Sequence, residues 1–345
     1  MPADYTLPER PLWLFSPTVD FWLASGGASV GLLAAIGLIF LHRDMELDAL
    51  DLVLSEFHLG ATYYVILQRR LWRRLPADVL LAPALILALT YALSMSGQTM
   101  LLTSVAMYAG IWHRGRQSFG IARFYQRAAG GPTSPAHDYL FQGAIYLPMF
   151  ASMLAYTHLA PLEYEGEPYF SLDLGGEMTS FAAMVAAAWL AVYFTWTLRR
   201  SRRARLFCAQ HGRSALHPGE WWVVLAHAVA FGSSYVFGAA KASFLLVIAV
   251  HHEVQYLYFA YAVSRRSAAF RETRNRESAL CRKGNNPRFE IKHVAIFFIW
   301  PVIGFLGAVG GGWFALESLS PLGIGGLFCH YWLDGRIWTR RSLTA

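Results

Sequence analysis

DALDLVLSEFHLGATYYVIL, residues 48–67, is the stretch that decides the fold, and QRRLWRR follows it directly. The stretch is mostly apolar, and about 20 such residues let an α-helix cross the hydrocarbon core of a bilayer. The four arginines behind it are typical of the cytoplasmic end of a transmembrane helix. The sequence therefore predicts a membrane-spanning helix that starts outside and ends in the cytoplasm.

Apolar stretches of this kind recur along the chain and predict about ten spans, or nine if the last is not a full crossing. The predicted fold class is all-α: a polytopic transmembrane helical bundle forming one domain over residues 1–345, with a cytoplasmic loop at 265–292. The last segment contains Pro321 and several glycines, so it either spans the membrane or re-enters it. The predicted spans are residues 19–42, 48–67, 77–96, 98–113, 138–160, 178–198, 219–238, 240–264, 293–314 and 318–334.

The positive charges indicate how this bundle is oriented. With the N-terminus in the cytoplasm and the spans alternating, all but two of the 29 lysines and arginines fall on the cytoplasmic side. The exceptions are Arg43 and Lys241, and the outer segment PLEYEGEPYFSLDLGGE has five acidic residues and no basic one. Retention of positive charge in the cytoplasm is the usual cause of such asymmetry. We therefore predict a multi-pass protein of the inner (cytoplasmic) membrane, with both termini inside.

Composition agrees with a lipid environment and argues against several soluble classes. The chain is 55% hydrophobic and only 15% charged, whereas soluble domains carry about a quarter charged residues. Membrane orientation and contact with lipid headgroups account for the net charge of +7, so a nucleic-acid partner is not expected. Three scattered cysteines, Cys208, Cys281 and Cys329, do not predict a disulfide framework or a thiolate zinc site.

Four predicted spans carry histidines among their apolar residues. Ionisable groups at membrane depth are costly and usually face the interior of a bundle. The second, fourth, eighth and tenth spans contain SEFHLG, WHRGRQ, HHEVQY and HYWLD, respectively. All four are predicted to run from outside to inside, with the histidine between the middle and the inner end. We expect these histidines to share one layer near the cytoplasmic face.

The spacing within the patches is typical of a metal site in a helical bundle. His113 and Gln117 are four residues apart and share a helix face, and the eighth and tenth spans repeat this pairing. Facing helices then direct ligands inward, and the second polar group ligates the metal or holds the free imidazole N–H. His227, on the seventh span, is a further candidate. The predicted metal-binding residues are His58, His113, Gln117, His227, His251, His252, Gln255, His330 and Asp334.

Two acidic or phenolic residues are candidates for proton transfer in catalysis. Glu56 lies two residues before His58 and reaches toward a neighbouring helix, whereas Tyr256 shares a helix face with His252. His251 and His252 are about 100° apart on their helix. Both can therefore bind metal only if metal ions lie on two sides of the helix; otherwise one of them supports a ligand without contacting the metal. Of this pair, His252 is the favoured ligand.

Non-haem iron is the expected cofactor. Imidazole suits iron, zinc, copper and nickel, and imidazole mixed with carboxylate around open positions suits non-haem iron. A ligand-rich site beside hydrocarbon favours oxidation of a lipid-soluble substrate, so iron is expected before zinc or haem. Whether the site holds one iron or two stays open.

The four patches together resemble those of the Brp/Blh-type bacterial membrane β-carotene dioxygenases. That family similarly has histidines on several helices, an HFG-type motif and a late histidine followed closely by aspartate. The counterparts here are His58-Leu59-Gly60 and His330 with Asp334, although this chain lacks an early PHG motif and an HxxxH pair on the eighth span. The resemblance implies a non-haem iron site that cleaves an isoprenoid double bond with O₂.

The leading functional hypothesis is an integral-membrane metalloenzyme. It would be a non-haem iron oxygenase, oxidase or desaturase acting on a lipid or isoprenoid, with an electron donor as a further partner. A proton- or ion-coupled transporter is the first alternative, because histidine and glutamate relay protons in transporters. A haem or quinone redox protein, with two facing histidines as axial ligands, is the second.

Overall fold

The computed structural model describes residues 13–24, 29–128, 134–159, 163–164, 167–208, 217–238, 241–279 and 320–337. These residues are almost entirely helical, which confirms the all-α prediction. The one extended pairing among them is a short antiparallel contact of β1 (Glu163–Tyr164) with β2 (Glu167–Pro168).

Eleven α-helices are described in this part of the chain. Short π-helical turns precede α5, at Ala77–Leu81, and follow α9, at Gly232–Val236, and a 3₁₀ turn at Ala242–Phe244 precedes α10. The helices are α1 (Pro17–Leu23), α2 (Ser29–Phe40), α3 (Asp44–Gln68), α4 (Leu71–Arg74), α5 (Ala82–Met95), α6 (Thr99–Ala128), α7 (Pro135–Leu159), α8 (Gly176–Cys208), α9 (Pro218–Phe231), α10 (Leu245–Ala279) and α11 (Ser320–Ile337).

Local sequence accounts for several helix ends. The Ser16 hydroxyl accepts a hydrogen bond from the Val19 N–H at 3.2 Å and so caps α1. The His217 ring plays the same part at α9, where it accepts from the Gly219 N–H at 3.0 Å. Gly97, just after α5, has a φ of 76°, a conformation that glycine adopts without steric cost.

Three of the described helices are long and apolar enough to cross a membrane: Asp44–Gln68, Ala77–Met95 and Gly176–Arg200. Much of their apolar surface faces outward, as at Leu85, which is 61% exposed, and Met184, which is 63% exposed. Apolar surface of this extent is what a helix in contact with lipid presents. By length and composition, these helices indicate association with a membrane.

The structure corrects some predicted boundaries. The predicted span 19–42 is divided between α1 and α2, and the predicted span 98–113 is only the first half of α6. The first part of the predicted cytoplasmic loop 265–292 is helical, because α10 continues to Ala279. The sequence of that part contains no glycine or proline and is rich in alanine, arginine and glutamate, which favour helix.

Other boundary predictions have mixed outcomes. The second part of the predicted loop and the predicted ninth span, 293–314, lie outside the described residues. The tenth segment forms one continuous helix, α11, despite Pro321, which stands in its first turn, where proline is tolerated.

Helices α3, α6 and α10 run parallel to one another through the bundle. One buried cluster contains residues from their early parts: Leu47 of α3, Met107 of α6 and Val247 of α10. Farther along, Val65 of α3 and Ala260 of α10 belong to a second cluster, and later residues of α6 and α10 share a third. The C-terminal half of α11 belongs to the same cluster as Val65, so α11 follows the same direction.

The segment between α7 and α8 is fastened to one end of the bundle. The Phe170 N–H donates to the Ser104 hydroxyl of α6 at 2.7 Å. The Asp173 carboxylate accepts from the Gly175 N–H at 2.8 Å and contacts the His158 ring at 2.9 Å. These two contacts, first the Gly175 N–H and then His158, lower the pKa of Asp173.

Helices α7 and α8 pack closely at Gly143. A β-carbon at this position would overlap the indole nitrogen of Trp189, which donates to the Leu140 carbonyl at 2.9 Å. Gly143→Ala should therefore lower stability by about 1–3 kcal/mol, the usual cost of overpacking. Thermal unfolding in detergent measures this, with Gly120→Ala as the control, since nothing lies within 4 Å of that position. Equal unfolding temperatures for the two variants would contradict the prediction.

Candidate metal centre

Four helices each place one histidine at a common point in the bundle. His58 comes from α3, His113 from α6, His252 from α10 and His330 from α11, and all four are buried. The ring centroid of His58 lies 4.7 Å from that of His252 and 4.5 Å from that of His330. The ring of His113 lies 5.0 Å from each of the same two rings. The predicted common layer of histidines is thus a compact cluster of rings.

Four side chains present ligand atoms at the spacing that one metal ion needs. His58, His113, His330 and Asp334 each offer one such atom, and all of these atoms lie within 4.8 Å of one another. Metal–ligand bonds to nitrogen and oxygen are about 2.0–2.2 Å, so two ligands on opposite sides of one ion are roughly 4 Å apart. The group therefore fits a single ion with little rearrangement.

Unpaired ring nitrogens in this cluster point to a ligand. Nδ1 of His58, Nε2 of His113 and Nδ1 of His252 are buried without a hydrogen-bond partner. Buried polar atoms normally have partners, and an exception calls for an ion or a water molecule. Nε2 of His58 and Nε2 of His330 contact each other at 2.6 Å, a hydrogen bond that ligation of both nitrogens to an ion would replace.

Asp334 directs one oxygen toward the histidines and has its other oxygen held in place. Its Oδ2 lies 3.8 Å from Nε2 of His113 and 3.6 Å from Nε2 of His330. Its Oδ1 accepts hydrogen bonds from the Tyr256 hydroxyl at 2.6 Å and from the Thr62 hydroxyl at 2.9 Å. The carboxylate is thereby fixed in an orientation that offers Oδ2 to the centre.

Thr62 also contacts the second ring nitrogen of His330. Its hydroxyl oxygen lies 3.1 Å from Nδ1 of His330 while its proton is given to Asp334. It can therefore accept a hydrogen bond from Nδ1–H, which leaves the lone pair of His330 on Nε2, the nitrogen that contacts His58. Histidine ligands commonly have such a partner on the second nitrogen.

Thr62 was not among the residues predicted from the sequence. The available signal was its position four residues after His58, which is the spacing that the prediction used for His113 and Gln117. Tyr256, by contrast, was predicted as a catalytic residue, and the structure places its hydroxyl on a carboxylate oxygen of the centre. Its catalytic part stays a prediction.

The two predicted glutamine ligands make other contacts. Nε2 of Gln117 donates to the backbone carbonyl of His252 at 2.8 Å. Nε2 of Gln255 donates to the Ala24 carbonyl at 2.9 Å. Both amide nitrogens thus form contacts between different parts of the chain, whereas the Oε1 atom of Gln117 is buried without a hydrogen-bond partner.

Two predicted histidine ligands also lie outside that group. Nε2 of His227 donates to the Ile145 carbonyl at 2.9 Å, and the ring packs on Phe231. His251 is buried with neither ring nitrogen paired, on a different face of α10 from His252. The structure therefore places His252, and not His251, beside the other three rings, as the helix geometry favoured.

Two further carboxylates lie near the centre in the sequence, and the structure describes the side chain of only one of them. The side chain of Glu56, the other predicted catalytic residue, lies outside the described part of the structure. Glu253, next to His252, is buried and accepts a hydrogen bond from the Ser55 hydroxyl. A polar layer on α3 and α10 thus continues beyond the ligand cluster.

The chain matches no protein-family model, no curated protein and no solved structure.

Proposed function

We propose that this protein is an integral-membrane metalloenzyme, a non-haem iron oxygenase, oxidase or desaturase that acts on a lipid or isoprenoid substrate. The observation that carries the proposal is the buried group of His58, His113, His330 and Asp334, whose ligand atoms lie within 4.8 Å of one another. With His252 included, the donor set is four imidazoles and one carboxylate. Iron, when bound, would supply the chemistry of O₂ activation.

The donor set favours non-haem iron over the other candidate cofactors. A structural zinc site normally takes four ligands, and this cluster offers five groups from four helices. A haem needs room for its macrocycle between two axial imidazoles. Neighbouring rings here have centroids only 4.5–5.0 Å apart, which leaves no slot for that macrocycle.

Residues around the donor set would position it and hold protons. Asp334 would ligate through Oδ2, since Thr62 and Tyr256 engage Oδ1. His330 would ligate through Nε2, because its Nδ1–H can donate a hydrogen bond to the Thr62 hydroxyl. Tyr256 holds a proton against the carboxylate and is suited to exchange it with a reacting group during the reaction.

The proposal includes a bundle of about ten spans with both termini in the cytoplasm of the inner membrane. The parallel course of α3, α6, α10 and α11 supports it, because the predicted topology gives these four helices one direction. The apolar outer surface of α5 and α8 provides contact with the bilayer. A lipid or isoprenoid substrate would reach the buried centre from that bilayer, and reduction of O₂ would require an electron donor.

Metal analysis of the purified protein tests the proposal. The full chain in mild detergent should contain near-stoichiometric iron by ICP-MS and show no Soret band in its absorption spectrum. Added isoprenoids or lipids, with a reductant, should then stimulate O₂ consumption. A folded, metal-free protein that also fails to bind added Fe(II) would refute the metalloenzyme, and a Soret band would establish the haem alternative.

A proton-coupled transporter is the second candidate, and buried polar groups beyond the ligand cluster favour it. His251 has two unpaired ring nitrogens, and Glu253 has an unpaired carboxylate oxygen. Buried groups of this kind are common in proton relays of transporters. Reconstitution into vesicles with a pH gradient separates the two functions, since only the transporter would move a solute together with protons in the absence of metal.

A further inference from the structure

An open groove runs along the second half of α8, and none of its lining residues belongs to the group of metal ligands. Its volume is about 770 Å³, and its lining residues recur on one face of the helix at intervals of four. They are Ala191, Val192, Thr195, Trp196, Arg199 and Arg200.

The lining changes from apolar to cationic along the helix axis. Ala191 and Val192 stand inside the apolar stretch Gly176–Arg200, which is long enough to cross a membrane, whereas Arg199 and Arg200 stand at its end. Hydrocarbon therefore surrounds the first part of the groove, and the arginines lie where headgroups begin. This gradient matches an amphiphile that carries an anionic head on an acyl chain.

The cationic end of the groove is held in place by the residues around it. The Arg200 guanidinium lies 5.0 Å above the ring of Trp196, and one of its nitrogens is 3.5 Å from the Ser134 hydroxyl. The ring of Trp196 also stacks on His137, with centroids 5.1 Å apart. His137 is 1% exposed and is joined to the buried Glu220 at 2.8 Å. A fixed arginine loses less conformational freedom when it binds a phosphate.

We propose that this groove binds one anionic glycerophospholipid. Its phosphate contacts Arg199 and Arg200, and one acyl chain lies along Ala191 and Val192. Guanidinium groups bind phosphate through paired charge-assisted hydrogen bonds. A zwitterionic lipid also has a phosphate, but its headgroup carries no net negative charge and is attracted less strongly to the two arginines. The site is independent of the metal centre, so its test does not depend on enzyme activity.

Lipid titration of the full chain in detergent tests the proposal. Native mass spectrometry should show tighter binding of phosphatidylglycerol than of phosphatidylcholine with the same acyl chains. Arg199→Gln/Arg200→Gln should weaken phosphatidylglycerol binding by roughly 30-fold, as expected for two arginines at a membrane surface. If the double variant does not fold, Arg199→Gln alone replaces it, because Arg199 is exposed. This single substitution should weaken phosphatidylglycerol binding by roughly fivefold.

A second arginine pair provides the matched control. Arg73 and Arg74 of α4 carry the same charge, and Arg73 also lies over a tryptophan, Trp72, at 4.5 Å. Arg73→Gln/Arg74→Gln should leave phosphatidylglycerol binding unchanged. Equal loss in both double variants would show diffuse charge attraction and overturn the proposal. Equal binding of the two lipids, or full displacement of phosphatidylglycerol by inorganic phosphate, would also overturn it.

Discussion

Loss of bound metal is the expected result of His58→Ala. The side chain supplies one of the four close ligand atoms, and its Nε2 contacts Nε2 of His330 at 2.6 Å. Loss of a group that only supports a ligand costs roughly 10–100-fold in metal affinity, so loss of the ligand itself should cost more. Iron content by ICP-MS, and Fe(II) affinity measured by titration, should both fall. Iron-dependent O₂ consumption should be lost with them.

His227→Ala is the matched control for this experiment. His227 is as deeply buried as His58 and was predicted as a ligand by the same sequence argument, but its ring bonds to the Ile145 carbonyl. The His227→Ala variant should therefore lose some folding stability and retain its iron. Circular dichroism and size-exclusion chromatography establish that both variants are folded. Retention of iron by folded His58→Ala would remove this side chain from the centre, and equal iron loss in both variants would point to a general effect of packing.

Thr62→Val should weaken the metal centre without removing any ligand. The substitution keeps the shape of the side chain and deletes the hydroxyl that donates to Oδ1 of Asp334 and accepts from Nδ1 of His330. The carboxylate then loses one of its two donors, and the His330 ring loses the partner that fixes its proton. We expect metal affinity to fall by roughly 10–100-fold, the range for partners of metal ligands.

Two further threonine variants separate positioning from general destabilisation. Thr62→Ser restores the hydroxyl and should recover most of the affinity. Thr103→Val removes a partly buried hydroxyl that only bonds the Thr99 carbonyl of its own helix, and it should leave metal binding unchanged. If Thr62→Ser binds metal as poorly as Thr62→Val, the effect comes from packing and not from the hydroxyl.

The sequence singled out His58, His113, His330 and Asp334, which the structure brings together, because ionisable residues are unusual in apolar helices. A histidine in an apolar helix is costly unless it has a partner inside the protein, so His58 and His330 stood out from their neighbours. The four-residue spacing also paired His330 with Asp334 correctly. Thr62 was missed because threonine is common in apolar helices, where its hydroxyl can bond to its own backbone.

Tertiary packing decided what spacing alone left undetermined. Gln117 has the same relation to His113 as Asp334 has to His330, yet its amide bonds to the backbone of α10. Helix periodicity gives the face on which a side chain lies but not the neighbour that it meets there. The same limit applied to His227, whose ring finds the Ile145 carbonyl of α7.

Helix ends were harder to predict than helix positions. Hydropathy located the apolar part of each described helix of ten or more residues, but helix formation follows backbone hydrogen bonding and propensity as well. Polar, alanine- and arginine-rich sequence therefore extends α10 to Ala279, well beyond the predicted end of its span at residue 264. A helix can thus continue beyond its apolar stretch, which a hydropathy pattern does not detect.

The contribution of α11 to the cluster has a consequence for biosynthesis. His58 and His330 meet side by side, although 272 residues separate them in the chain. Translation and membrane insertion proceed from the N-terminus, so α3, α6 and α10 are made before His330 and Asp334 exist. A nascent chain would therefore lack two of the four close ligands until His330 and Asp334 have been synthesised. Iron loading would thus have to follow the synthesis of α11, and a chain truncated before His330 would lack the complete ligand group.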